Sequence, residues 1–146
     1  MIEKYPVYKI ENVYQFDKYD TKASTALNTW SWVQMLMILF SISYLFGNIA
    51  LINSLDSSYI FWYGGFIFIS VYALTELMDR NPWALFWETA RCGLGLSFLW
   101  QQSDWFGAST YLSTIRFIMG AYFILSIAVT GWFVYRHWKE DAVVLV

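Results

Sequence analysis

A chain of 146 residues that is 58% hydrophobic, 22% aromatic and 14% charged lies far from the roughly 45–50% apolar and about 25% charged of soluble domains. Nine Trp, eleven Tyr and twelve Phe would leave a soluble globule of this size with exposed apolar patches that drive aggregation, which excludes an ordinary soluble enzyme domain and a disordered chain. A net charge of −2 and a pI near 5.2 exclude a nucleic-acid binder, because no basic excess exists to neutralise phosphates, while one Cys and one His exclude a disulfide framework and a cysteine-based metal cluster.

Residues 1–29 mix Lys4, Lys9, Lys18 and Lys22 with Glu3, Glu11, Asp17 and Asp20 and contain no apolar run. This is not a secretory signal peptide. The spacing of the aromatic residues there follows neither helix nor strand, so a polar cytoplasmic arm lying on the surface, with a turn at 17–21, is expected.

The charge-free intervals that follow define the fold class. Positions 23–55 hold 33 consecutive uncharged residues and positions 57–75 hold 19; about 20 apolar residues cross a bilayer core of roughly 30 Å. Trimming the polar ends gives a first span at about 30–52 and a second at about 59–78. A third, at about 83–100, is announced by Asn81 as N-cap and Pro82 at the first helical position, and it carries Glu88 and Arg91. A fourth, at about 111–135, contains Arg116 near its start, and residues 139–146 form a tail. The expected architecture is all-α: an integral membrane, four-helix transmembrane bundle.

Four spans put both termini and the second connection on one side. That side holds Lys4, Lys9, Lys18, Lys22, Arg80, Arg136 and Lys139, and the two opposite loops hold no Lys or Arg. The asymmetry predicts cytoplasmic termini, as in a bacterial inner membrane. Trp30, Trp62, Trp83, Trp100, Trp105 and Trp138 fall at or near span ends, as interfacial aromatic belts do.

Six charged residues are candidate contacts for lipid or a partner. Glu88 and Arg91, three apart, share a helix face and can pair; a charge at membrane depth is a functional candidate, and Glu88 is near enough to the helix start to snorkel. The pair either fixes the third span against its neighbours or binds a headgroup or proton. Glu76, Asp79 and Arg80 precede that helix on the same side and extend the polar cluster, as caps or as a contact surface. Arg116 enters the fourth span from the opposite face, where it can snorkel or pair with Asp104. Gly93 and Gly95 with Cys92 and Ser97, and Gly64 with Gly65, are expected to let helices approach closely. His137 reads as a headgroup-facing tail residue. No metalloprotease, Walker or dinucleotide motif occurs, so catalytic, cofactor and metal residues are expected to be none.

The run Phe16-Asp17-Lys18-Tyr19-Asp20-Thr21-Lys22-Ala23-Ser24, then Leu27, Asn28 and Gln34, resembles the carboxy-terminal membrane region of bacterial proteins in the alkylglycerol monooxygenase branch of the sterol desaturase and fatty acid hydroxylase superfamily. Tyr72-Ala73-Leu74-Thr75, Leu77-Met78-Asp79-Arg80-Asn81, Ala84, Glu88, Arg91 and Gly93 continue the likeness over almost the whole chain. The resemblance implies di-iron oxygenation of lipids by histidine boxes in an upstream domain. Those boxes are missing here, and imidazoles are what would hold the irons. It therefore implies a detached, non-catalytic module, either half of a split hydroxylase, a fragment or an independent descendant, with a structural or lipid-access role beside a catalytic membrane partner or in a homo-oligomer. Two other readings stay open: a small transporter or proton-linked subunit using Glu88, Arg91 and Arg116, and an accessory subunit of a respiratory or quinone-linked complex.

Overall fold

The computed structural model describes the main chain of residues 24–144 and the side chains of residues 24–136; most of the polar arm, His137, Trp138 and the tail side chains lie outside the described residues. Among these described residues five helices follow in order: α1 Thr25–Gly47, α2 Ile49–Leu55, α3 Tyr59–Met78, α4 Ala84–Gln102 and α5 Ile115–Val144, with a 3-10 turn at Ala108–Thr110. Among the described residues there is no strand.

The first expected span is replaced by two helices. The Ser24 hydroxyl accepts the Leu27 N–H at 3.2 Å, satisfying an orphan donor of the first turn, so α1 begins five residues before Trp30. Thr29 and Ser31 sit inside it with their hydroxyls donating to the carbonyls four residues back, so neither hydroxyl is left without an acceptor. At the other end Asn48 leaves helical geometry (φ −125°, ψ 23°) and its side chain donates to the Tyr44 carbonyl at 3.1 Å. That amide competes with the helix ladder and breaks the apolar stretch.

α3 occupies the expected interval and ends in a Schellman cap. Arg80 sits in the left-handed region (φ 55°), its N–H donates to the Leu77 carbonyl and the Asn81 N–H to the Glu76 carbonyl, the paired bonds that close a helix end. Asn81 then accepts the Trp83 N–H at 3.0 Å. Asn81 therefore makes a turn ahead of the helix and not the expected N-cap: α4 starts at Ala84, two residues after Pro82, with Trp83 at the cap position and no side-chain cap bond.

Among the described residues three helices are long and apolar enough to cross a membrane: α1, α3 and the Ile115–Arg136 part of α5. Four were expected. α4 has the length, with 19 residues, but Glu88, Arg91, Gln101 and Gln102 lower its hydropathy. The apolar helices mark the chain as an integral membrane protein.

α3 packs between α1 and α4, and α4 between α3 and α5. Leu27, Leu77 and Ala84 cluster with Trp30, Phe133 and Val134, which brings the start of α1, the α3–α4 turn and the Arg136 region to one end, here the near end. The α2–α3 connection and residues 103–114 form the far end. Helix-to-helix approach depends on one glycine. A Cβ at Gly95 would lie within 3.0 Å of three ring atoms of Phe123, whereas Gly64, Gly65 and Gly93 face open space and do not serve the close contacts expected of them. Gly95→Ala is expected to push α5 away and lower stability by about 1–3 kcal/mol, read as a fall in thermal midpoint in detergent, with Gly93→Ala neutral.

The far-end loop is part of the core. Trp105 is 2% exposed and Phe106 fully buried, so Trp105 is not the interfacial residue its position suggested, while Trp62, Trp83 and Trp100 are exposed at helix ends. Trp105 packs edge-on against Tyr63, Phe66 and Phe106 with centroids 5.2–5.7 Å apart and donates its indole N–H to the Tyr63 hydroxyl at 3.3 Å. Three residues bend the chain inward with left-handed backbone, Ser103 (φ 56°), Phe106 (φ 50°) and Gly107 (φ 87°). The expected Asp104–Arg116 pair does not form: the Asp104 carboxylate instead accepts the Trp105 N–H at 2.6 Å and the Ser109 N–H and hydroxyl at 3.0 and 2.7 Å. Tyr44 donates to the Phe106 carbonyl at 3.1 Å, so α1 also holds this loop, which plugs the far end with its aromatic side chains.

Candidate functional site

α4 is amphipathic in an inverted sense, with its charges turned inward. Glu88 is 1% exposed and Arg91 2%, so neither snorkels. One turn apart on the same face, they close a two-pronged contact: Arg91 Nε donates to Glu88 Oε2 at 3.1 Å and Nη2 to Oε1 at 2.5 Å. A planar guanidinium meeting a carboxylate with two parallel bonds is the strongest form of such a pair.

The rest of the cluster comes from other helices. Ser126 of α5 donates to Glu88 Oε1 and accepts from Arg91 Nη2 at 2.9 Å. Tyr122, one turn away on α5, accepts from Arg91 Nη1 at 3.2 Å and places its ring 5.4 Å from the guanidinium carbon, within cation–π range. From α1, Gln34 donates to the Ser126 hydroxyl at 3.3 Å. Cys92 donates its thiol to Glu88 Oε1 at 3.3 Å and is fully buried. Ser126 is thus the one atom group on which α1, α4 and α5 converge.

Depth gives the cluster its character. Ser126 lies midway along the Ile115–Arg136 stretch, so the pair is carried to the middle of α5 and not to a headgroup boundary. In a medium that supplies no competing water, an unpaired ion here would cost several kcal/mol, and the donors around Glu88 and Arg91 are what make the charges tolerable. Of the five buried side-chain polar atoms left without a partner among the described residues, two lie beside the cluster, Gln34 Oε1 and Thr130 Oγ1; Thr130 is one turn from Ser126 on the same face of α5.

The remaining candidates have separate places. Asp79 is exposed and Arg80 forms the left-handed residue of the α3 cap, and Glu76 is half-buried with its main-chain carbonyl in that cap. These three therefore end a helix at the near end, while Glu88 and Arg91 point to the interior. Arg116 is exposed at the far end. Among the described residues no group of three His, Cys, Asp or Glu is placed to hold a metal ion.

The sequence reading did not single out Gln34, Tyr122, Ser126 or Thr130 as members of the site. A signal was present: Tyr122, Ser126 and Thr130 recur at a spacing of four in an otherwise apolar helix, which puts them on one stripe, and Gln34 is the sole amide between Asn28 and Asn48.

Fold and site together define a helical integral membrane protein whose central ion pair is enclosed by hydroxyl, thiol and amide groups. Comparison with protein-family models, with curated proteins and with solved structures finds no match.

Proposed function

We propose that this chain is a non-catalytic, four-crossing membrane module that packs beside a catalytic partner in lipid modification, with both termini cytoplasmic. The observation that supports it is the saturation of the Glu88–Arg91 pair. Glu88 receives hydrogen bonds from Arg91, Ser126 and Cys92, and the aromatic plug covers the far end, so the pair acts as a clasp that holds α4 against α5, with α1 joined to it through Gln34 and Ser126. On this reading α4 crosses the bilayer despite its low hydropathy because its charges face the bundle interior. The resemblance to the membrane region of alkylglycerol monooxygenase-like proteins supplies the partner class, a histidine-box hydroxylase.

Cross-linking in native membranes followed by affinity purification tests the reading. A histidine-rich membrane polypeptide is expected to co-purify. Recovery of the chain only with itself, or with subunits of a respiratory complex, would contradict it.

The central depth of the cluster and the open acceptor sites on Gln34 and Thr130 favour a second reading, a proton-linked subunit in which Glu88 exchanges a proton. Loss of transport in Glu88→Gln, with the fold retained, would favour that reading over the clasp.

A further inference from the structure

We propose that the far-end groove between α4 and α5 binds one anionic phospholipid, with the lipid phosphate on Arg116 and an acyl chain along the groove. The groove has a volume of about 460 Å³ and is lined by Leu96 and Trp100 of α4 and by Gly120, Ala121 and Ile124 of α5, with Arg116 also on its wall. Gly120 and Ala121 create the space. A Cβ at Gly120 would touch only Leu99, at 3.9 Å, and Ala121 is exposed.

Charge selects the occupant. Arg116 is the sole basic residue between Arg91 and Arg136, and the acids at its end of the bundle are already engaged. Asp104 is taken by Trp105 and Ser109. Asp56, in the α2–α3 turn, accepts from the Ser58 hydroxyl and N–H, which hold its carboxyl below the ordinary aspartate range. Among the described residues Arg116 makes no ion pair. An exposed guanidinium at the second residue of a helix reaches the headgroup layer, and its planar fork fits a phosphate with two bonds.

Length agrees with charge. Arg116 to Ile124 is two turns and a little more, about 12 Å of helix, close to the roughly 15 Å that one leaflet contributes to the hydrocarbon core. A chain descending from a phosphate on Arg116 therefore runs the length of the groove without leaving its own leaflet. A zwitterionic headgroup carries its own cation beside the phosphate and competes with Arg116; an anionic headgroup does not. The site stands independently of the hydroxylase partner proposed above.

Trp100, 83% exposed beside the groove, is the reporter. The full chain is placed in phosphatidylcholine vesicles containing the same fraction of brominated phosphatidylglycerol or brominated phosphatidylcholine, and the quenching lost in Trp100→Phe is taken as the share of Trp100. Brominated phosphatidylglycerol is expected to be preferred at Trp100 by about five-fold, the effect of one basic side chain at an anionic surface. Arg116→Gln is expected to abolish the preference, and Ala121→Leu, which fills the groove at an exposed position, to reduce quenching by both lipids. Equal quenching by the two lipids would mark an ordinary boundary lipid, quenching by neither would mark a groove covered by protein, and a preference that survives Arg116→Gln would place the anion elsewhere. Any of the three overturns the proposal.

Discussion

Glu88→Leu is expected to destabilise the bundle by about 3–5 kcal/mol, because it strands the Arg91 charge in an interior without water. The guanidinium keeps Tyr122 and Ser126, but neither neutralises it. Replacing both residues, Glu88→Leu with Arg91→Leu, removes the ion together with its counter-ion, and apolar side chains of similar volume then occupy the space. That double variant is expected to recover most of the lost stability, as buried pairs exchanged for apolar packing commonly do. Unfolding in mixed micelles by titration with a denaturing detergent gives the four corners of the cycle, whose interaction energy isolates the pair. If the losses of Glu88→Leu and Arg91→Leu simply add in the double variant, the two residues act separately and the clasp is wrong.

Trp105→Ala is expected to cost about 3–5 kcal/mol as well, by a different route. The indole is 2% exposed and touches Tyr63, Phe66, Phe106 and Phe123, so its removal leaves a large cavity lined by rings, with both a transfer and a cavity cost. The Tyr63 hydroxyl also loses its donor. Trp105→Phe keeps much of the volume and is expected to cost less than half as much. Thermal melting followed by tyrosine and tryptophan fluorescence reads both variants. A loss no larger than that of an exposed control, Trp62→Ala, would show that the loop is not a plug.

How much of this was readable without coordinates depends on the kind of interaction. The apolar stretches were legible because charge is excluded from a bilayer core, and α3 lies where the gap between Asp56 and Glu76 put it. The ends of α1 were not, since they are set by single hydrogen bonds: Ser24 to Leu27 at the start, and the Asn48 amide to Tyr44 at the break. The pairing of Glu88 with Arg91 followed from helix geometry at a spacing of three. Its burial did not, because the partners that permit it, Gln34 and Ser126, are neutral residues 92 positions apart, and nothing local links them. The place of Trp105 near a span end predicts an interfacial residue, and the structure buries it. The inward bend rests on left-handed Ser103 and Phe106, residue types that rarely adopt that backbone, with only Gly107 as a visible hint.

In the topology proposed above, α4, with its buried ions, crosses the membrane as the fourth helix. Cysteine accessibility in intact cells and in inverted vesicles tests it most directly: in a Cys92→Ser background, single cysteines replace Lys18 ahead of α1 and Lys139 late in α5. Both positions are expected to react with a membrane-impermeant maleimide from the cytoplasmic side alone. Reaction of the two from opposite sides would leave only three crossings, and α4 would not span.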